Sequence, residues 1–121
     1  MEKITLVLGA SPNPERYSYR AIRSLLSRKF PVIAIGKRDF DLDDLKIKKG
    51  MPADIGPVHT VALYLNAKNQ EEYYDYIISL KPKRIIFNPG TANTEFENLL
   101  RTNDIDFVND CLLIMLSCGK F

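Results

Sequence analysis

Apolar positions along the chain fall in short unbroken runs, and between those runs they recur every three or four residues. Residues 4–8 (ITLVL) form a continuous run rich in branched side chains, the pattern of a central parallel strand buried on both faces. Residues 31–35 (PVIAI) and 58–65 (VHTVALYL) repeat it, 84–87 (RIIF) repeats it over a shorter length, and a further short strand is expected near Phe107 and Val108. After the first run Tyr19, Ile22, Leu25 and Leu26 share one helical face, with Ser18 as the expected N-cap and an end near Arg28. Asn69 with Glu72 has the form of a capping box ahead of Tyr73, Tyr76, Ile77 and Leu80. Thr94 with Glu97 repeats that form ahead of Phe96, Leu99 and Leu100, and residues 112–116 add a last apolar stretch. Residues 39–57 show no sustained period and are expected to be a loop with a single helical turn near 43–46.

Strands alternating with helices predict an α/β fold: a Rossmann-like three-layer α/β/α sandwich with right-handed crossovers around a mostly parallel five-stranded sheet. The expected strand order is 3-2-1-4-5, which puts residues 58–65 at an edge and makes strands one and four flank the ligand crevice beyond their carboxyl ends. At 121 residues and 45% apolar content, the chain suits one domain, residues 1–121, around one core.

Charge narrows the partners only a little. With 17 basic against 15 acidic residues there is no positive stripe of the kind nucleic acid requires, and no apolar run is long enough for a membrane span or a signal segment. Cys111 and Cys118 lack any CxxC or Cys/His spacing, so neither a zinc site nor a disulfide framework is expected, and the cytoplasm is the expected compartment.

Chemistry is suggested where the strands end. The first run stops at Gly9-Ala10-Ser11, and the fourth stops at Asn88-Pro89-Gly90. Small residues ahead of a helix let backbone N–H groups approach a phosphate closely. The first loop is not the GxGxxG dinucleotide fingerprint, since Ser11 and Pro14 stand where glycines would be required. At the end of strand two, where NAD-binding domains put a carboxylate against the ribose, this chain has Lys37 and Arg38. Cations there suit a ribose that carries an extra phosphate, as in NADP or coenzyme A. His59, the only histidine, starts the expected third strand and reads as structural or solvent-facing. The aspartates at 39, 41, 43 and 44 do not match a calcium loop, because Asp44 and Gly50 occupy the positions that would need glycine and glutamate. Tyr73 and Tyr76 read as core-facing rather than as a stacking platform.

The segments GASPNPERYSYRA at 9–21, IGKR at 35–38, ALYLNA at 62–67, FNPGTANTEFENLL at 87–100 and NDC at 109–111 resemble the small stand-alone CoA-binding-domain proteins. Those proteins are similar to the N-terminal CoA-binding domain of the succinyl-CoA synthetase alpha subunit. The resemblance spans nearly the whole chain. It implies that Gly9, Ala10 and Ser11, with Asn13, Arg16 and Tyr19 in the loop and helix that follow, hold the diphosphate. It implies Lys37 or Arg38, next to Gly36, for the 3′-phosphoribose; many relatives carry Asn-Pro where this chain has Gly36-Lys37. Asn66 and Ala67 would border the adenine and ribose, while Asn88, Pro89 and Gly90 would line the pantetheine side. Cys111 matches a cysteine common in the family, and its residue type fits a buried packing role as well as a reactive one.

The function expected from these residues is a module that binds CoA or acyl-CoA and performs no catalysis of its own. The alternatives are an NADP-binding oxidoreductase domain and a CoA-ligase subunit completed by a partner chain; a homodimer or partner protein is compatible with all three.

Overall fold

The structure, a computed structural model, describes residues 3–121; Met1 and Glu2, the start of the expected domain, lie outside the described residues. Its strands are β1 (Thr5–Ala10), β2 (Val32–Gly36), β3 (Phe40–Leu42), β4 (Leu45–Lys49), β5 (Thr60–Leu63), β6 (Arg84–Phe87) and β7 (Asp106–Asn109). The helices are α1 (Tyr17–Ser27), α2 (Ala67–Gln70), α3 (Tyr74–Leu80), α4 (Thr94–Thr102) and α5 (Leu112–Ser117), with a 3-10 turn at Glu71–Tyr73 joining α2 to α3.

The seven strands form one sheet in the order β3-β4-β2-β1-β5-β6-β7, parallel throughout except for the β3–β4 hairpin. The α/β class and the three layers agree with the sequence reading; the strand count and order do not. Residues 39–57 hold a hairpin rather than a loop with a helical turn. Phe40, Leu42, Leu45 and Ile47 alternate with charged residues at a period of two, and Leu42 pairs with Leu45 across a turn in which Asp43 takes a positive φ of 56°. β4 then lies parallel to β2 and takes the third place of the doubly wound order.

That insertion moves the 58–65 segment. Its strand, β5, pairs along its length with β1 through Leu6↔Val61 and Leu8↔Leu63 instead of lying at an edge. The crevice at the reversal of strand order therefore opens between β1 and β5, and the loop after β6 stands one strand farther out.

Period-two alternation along the central strands sorts the core into two layers. Val7, Ala34, Ala62 and Ile86 face α1 and α5, meeting Ile22, Leu25, Leu112 and Met115. Leu6, Leu8, Val61, Leu63 and Ile85 face the other way, onto Ile77, Phe96 and Leu100. All of these positions are essentially closed to water, and burial of a large apolar side chain contributes about 1.5–3 kcal/mol.

Helix starts differ from expectation by one to three residues. α1 is preceded by Arg16 with no side-chain cap, and Ser18 is buried in the first turn. Asn66, not Asn69, caps α2 by accepting from Asn69 N at 2.9 Å, and Asn93, not Thr94, caps α4 by accepting from Phe96 N at 3.1 Å. Asparagine is as good a cap as serine or threonine, and the nearest one upstream wins in both cases. On α4, Phe96 and Leu100 are buried as expected, whereas Leu99 is exposed.

Candidate functional site

Three exit loops meet beyond the carboxyl ends of β1, β5 and β6. The first follows an irregularity in β1 between Leu8 and Ala10, where Gly9 takes a φ of 103° that is open to glycine and strained for other residues. A Cβ there would meet the Tyr64 carbonyl carbon at 3.1 Å, so glycine at this position lets β1 press against the exit of β5. Beyond it the loop is self-organised: Ser11 Oγ accepts from Asn13 N at 3.1 Å and Asn13 Oδ1 accepts from Glu15 N at 3.0 Å. Pro12 and Pro14 offer no N–H, and Asn13, Arg16 and Tyr17 are exposed along the crevice rim.

Gly36, at the end of β2, is buried against β1, with Ala10 paired beside it. Lys37 and Arg38 follow immediately and are exposed; among the described residues neither enters an ion pair. They stand at the exit of β2, beside the end of β1. Tyr19, by contrast, is engaged by Arg23, which donates to its hydroxyl at 3.0 Å and lies over its ring while also bridging to Asp43. The Tyr19 hydroxyl, then Asp43, hold the Arg23 guanidinium above its ordinary value. This trio ties α1 to the hairpin and lines a cleft of about 260 Å³ with Pro12 and Phe40.

A second cleft, of about 350 Å³, lies between the exits of β6 and β7 and is lined by Asn88, Pro89, Gly90, Ala92 and Cys111, among others. Gly90 has a φ of 88° and open space where a side chain would be, so the loop tip stays thin. Asn88 is buried and its amide is committed to the protein. Nδ2 donates to Leu63 O at 3.0 Å and Oδ1 accepts from Leu112 N at 2.9 Å, fixing the β5 exit and the start of α5 relative to β6. Burial, with Cys111 nearby, pushes the Tyr64 phenol well above its ordinary value, so it stays protonated. Cys111 is half-buried and Cys118 exposed, both as free thiols.

Asn66 Oδ1 serves as the cap of α2 and its carbonyl accepts from Gln70 N at 3.1 Å, so Asn66 and Ala67 are fixed just beyond the exit of β5. Behind them lies a feature that sequence reasoning missed: Gln70, Thr91 and Asn93 are buried and hydrogen-bonded to one another or to the loops. A glutamine within an exposed-looking AKNQEE segment gives no sign of burial on its own. The structure thus brings together Gly9, Ala10, Ser11, Lys37, Arg38, Asn66, Ala67, Pro89 and Gly90 along one end of the sheet, while Tyr19 and Asn88 serve contacts within the protein.

His59 is far from that end. It lies where β5 begins, at the opposite end of the sheet, with its Nδ1 2.8 Å from Thr60 Oγ1. Tyr73, Tyr74 and Tyr76 pack against the second core layer, and Tyr74 stacks on Phe96 with ring centroids 4.4 Å apart. Among the described residues no helix is long and apolar enough to cross a membrane, and no group of three or more His, Cys, Asp or Glu side chains is positioned to hold a metal ion.

Comparison with known proteins agrees with this architecture. No curated protein matches the chain. A crystal structure of a protein described as uncharacterized is 45% identical, covers 100% of this chain and 99% of its own, and superposes with a TM-score of 0.94. A protein from Thermus thermophilus shares the fold at 20% identity, with a TM-score of 0.88 over 99% of this chain and 91% of its own. A hypothetical protein from Pyrococcus horikoshii OT3 does so at 24% identity and 0.85, over 97% and 82%. The model of the CoA binding domain family matches residues 3–117, nearly the whole length. The chain belongs to the CoA binding domain family.

Proposed function

We propose that this protein is a binding module for coenzyme A or an acyl-CoA, with no catalytic step of its own. The observation that carries the reading is the exposed pair Lys37 and Arg38, directly beyond Gly36 and beside the end of β1, where Ala10 pairs with Gly36. Cations at this position complement a phosphorylated ribose, and the Ser11–Arg16 loop that follows β1 next to them is the stretch where a diphosphate would meet the chain. The 350 Å³ cleft lined by Pro89 and Gly90 is suited to an uncharged arm such as pantetheine. Family membership points to the same ligand.

In this reading Gly9, Ala10 and Ser11, with Asn13 and Arg16 on the rim, contact the diphosphate. Lys37 or Arg38 pairs with the 3′-phosphate, the backbone of Asn66 and Ala67 borders the adenine and ribose, and Pro89 and Gly90 line the pantetheine arm. Tyr19 and Asn88 shape the walls through Arg23 and through Leu63 and Leu112. Bound CoA would supply a thiol or thioester at the end of the arm.

A thermal-shift panel of CoA, acetyl-CoA, NADP and NAD tests the proposal. CoA at 100 times its dissociation constant adds ~2.7 kcal/mol, several degrees for a domain this size. No shift with CoA alongside a shift with NADP would replace the reading with that of an NADP-binding domain.

A further inference from the structure

Gln70 is fully buried, yet its amide is hydrogen-bonded at every donor position. Nε2 donates to Leu65 O and to Thr91 O, each at 2.8 Å, and Oε1 accepts from Asn93 Nδ2 at 2.9 Å. Asn93 is in turn held by the Tyr74 hydroxyl at 2.8 Å and by Phe96 N at 3.1 Å, and Tyr74 is stacked on Phe96. One planar amide, fixed from behind by a buried network, therefore joins two loops that the chain does not join directly: the exit of β5 and the exit of β6.

The join sets the distance between those loops. Both carbonyl oxygens sit 2.8 Å from one nitrogen, so they cannot be more than twice that apart. It also sets their orientation. Peptide units here are trans, with C=O and N–H pointing in opposite directions. Turning the Leu65 and Thr91 carbonyls toward Gln70 turns the N–H groups of Asn66 and Ala92 away from it, and Ala92 lines the outer cleft. A fully buried side chain cannot itself touch a ligand, so any effect on binding passes through the two loops.

We infer that Gln70 is a positioning residue that sets the span between two halves of a bipartite ligand: the half bordered by Asn66 and Ala67, and the half lined by Pro89 and Gly90. The inference rests on the CoA reading above, in which those halves are the adenosine 3′-phosphate end and the pantetheine arm. When two linked fragments bind sites held at the right separation, the second binds with a high effective concentration; when the sites drift apart, that advantage shrinks although each fragment still binds alone.

The variant Gln70→Met keeps the side chain's length and removes its hydrogen bonds. Dissociation constants for CoA, 3′,5′-ADP and 4′-phosphopantetheine are measured by calorimetry or NMR titration on wild type and variant. The expected result is roughly a tenfold or greater loss for CoA with much smaller losses for either fragment, which lowers the effective concentration of the linked ligand. Equal proportional losses for the fragments and for CoA would mean that Gln70 merely stabilises the fold, and would overturn the inference. An unchanged CoA affinity would overturn it too. Wild type that binds neither CoA nor fragments would remove the CoA reading itself, whereas CoA binding with an unaltered ratio in the variant would remove only the role of Gln70. If Gln70→Met does not fold, amide exchange in wild type decides. Binding of 3′,5′-ADP alone should slow exchange at Thr91 and Ala92 on the far loop, and no slowing there would overturn the inference.

Discussion

Gly36 lies so close to Ala10 that a Cβ on Gly36 would stand 2.6 Å from the Ala10 carbonyl oxygen. The contact is backbone against side-chain position at the exits of two neighbouring strands, so it cannot be relieved by turning a flexible group. It joins the end of β1 to the Lys37–Arg38 pair, the two parts of the crevice that the proposed reading gives to phosphates.

Gly36→Ala should therefore destabilise the protein by about 1–3 kcal/mol, as overpacking of a tight site does. If the CoA reading holds, it should also weaken CoA binding in the fraction that remains folded, because β1 and β2 can accommodate the methyl only by separating at their carboxyl ends. Urea unfolding gives the first quantity and calorimetry the second. Normal stability would mean the strands part freely there, and the close approach of Gly36 to Ala10 would not constrain them.

Asn88→Leu should cost more stability than an ordinary surface substitution. It leaves Leu63 O and Leu112 N without their partners in a buried setting, and each orphaned group costs roughly 1–3 kcal/mol. The start of α5 should loosen first. Hydrogen exchange at Leu112 faster than in the central strands of the same variant is the expected signature, and uniform weakening across the sheet would argue against a local clasp.

The sequence made the centre of this fold legible because β1, β2, β5 and β6 are buried over most of their length and so carry nearly unbroken apolar runs. The β3–β4 hairpin escaped because its strands are short and half its positions are charged; Phe40, Leu42, Leu45 and Ile47 supply only two apolar residues per strand. Missing it displaced β5 from the middle of the sheet to an edge, since strand order follows from how many strands precede. At the site, glycines and cations could be read from the chain because a lone residue type carries the signal. The amides of Asn88, Gln70 and Asn93 could not, because their role arises from burial against loops distant in sequence.

His59 should make the protein less stable in mild acid. Burial, then the cations Arg84, Lys3 and Lys83, lower its folded pKa below the ordinary 6.5. As pH falls through that ordinary value, the unfolded chain takes up a proton that the folded one resists, so stability drops with pH. The contribution is fully present above the unfolded pKa and is lost on the way down through the folded one. Denaturant midpoints measured from about pH 7 down to about pH 5 should fall in wild type and fall less in His59→Gln. Parallel curves for the two proteins would assign the acid sensitivity to other groups.

In the proposed CoA reading, Lys37 and Arg38 are the residues that would recognise the phosphate on the ribose. Both are exposed and, among the described residues, without an ion pair, so replacing them with alanine disturbs no contact that holds the fold and stability should hardly change. If either pairs with the 3′-phosphate, the double alanine variant should lose on the order of 1.5–3 kcal/mol of CoA affinity, the range for hydrogen bonds to charged groups. Its affinity for 3′-dephospho-CoA should stay near the wild-type value, because that ligand lacks the group the cations meet. In wild type the preference for CoA over dephospho-CoA should shrink as salt is raised, since a solvent-exposed pair is screened. Calorimetry with both ligands on both proteins closes a thermodynamic cycle. Equal losses for the two ligands would leave Lys37 and Arg38 as ordinary surface cations, and the phosphorylated ribose would have to be sought elsewhere along the rim.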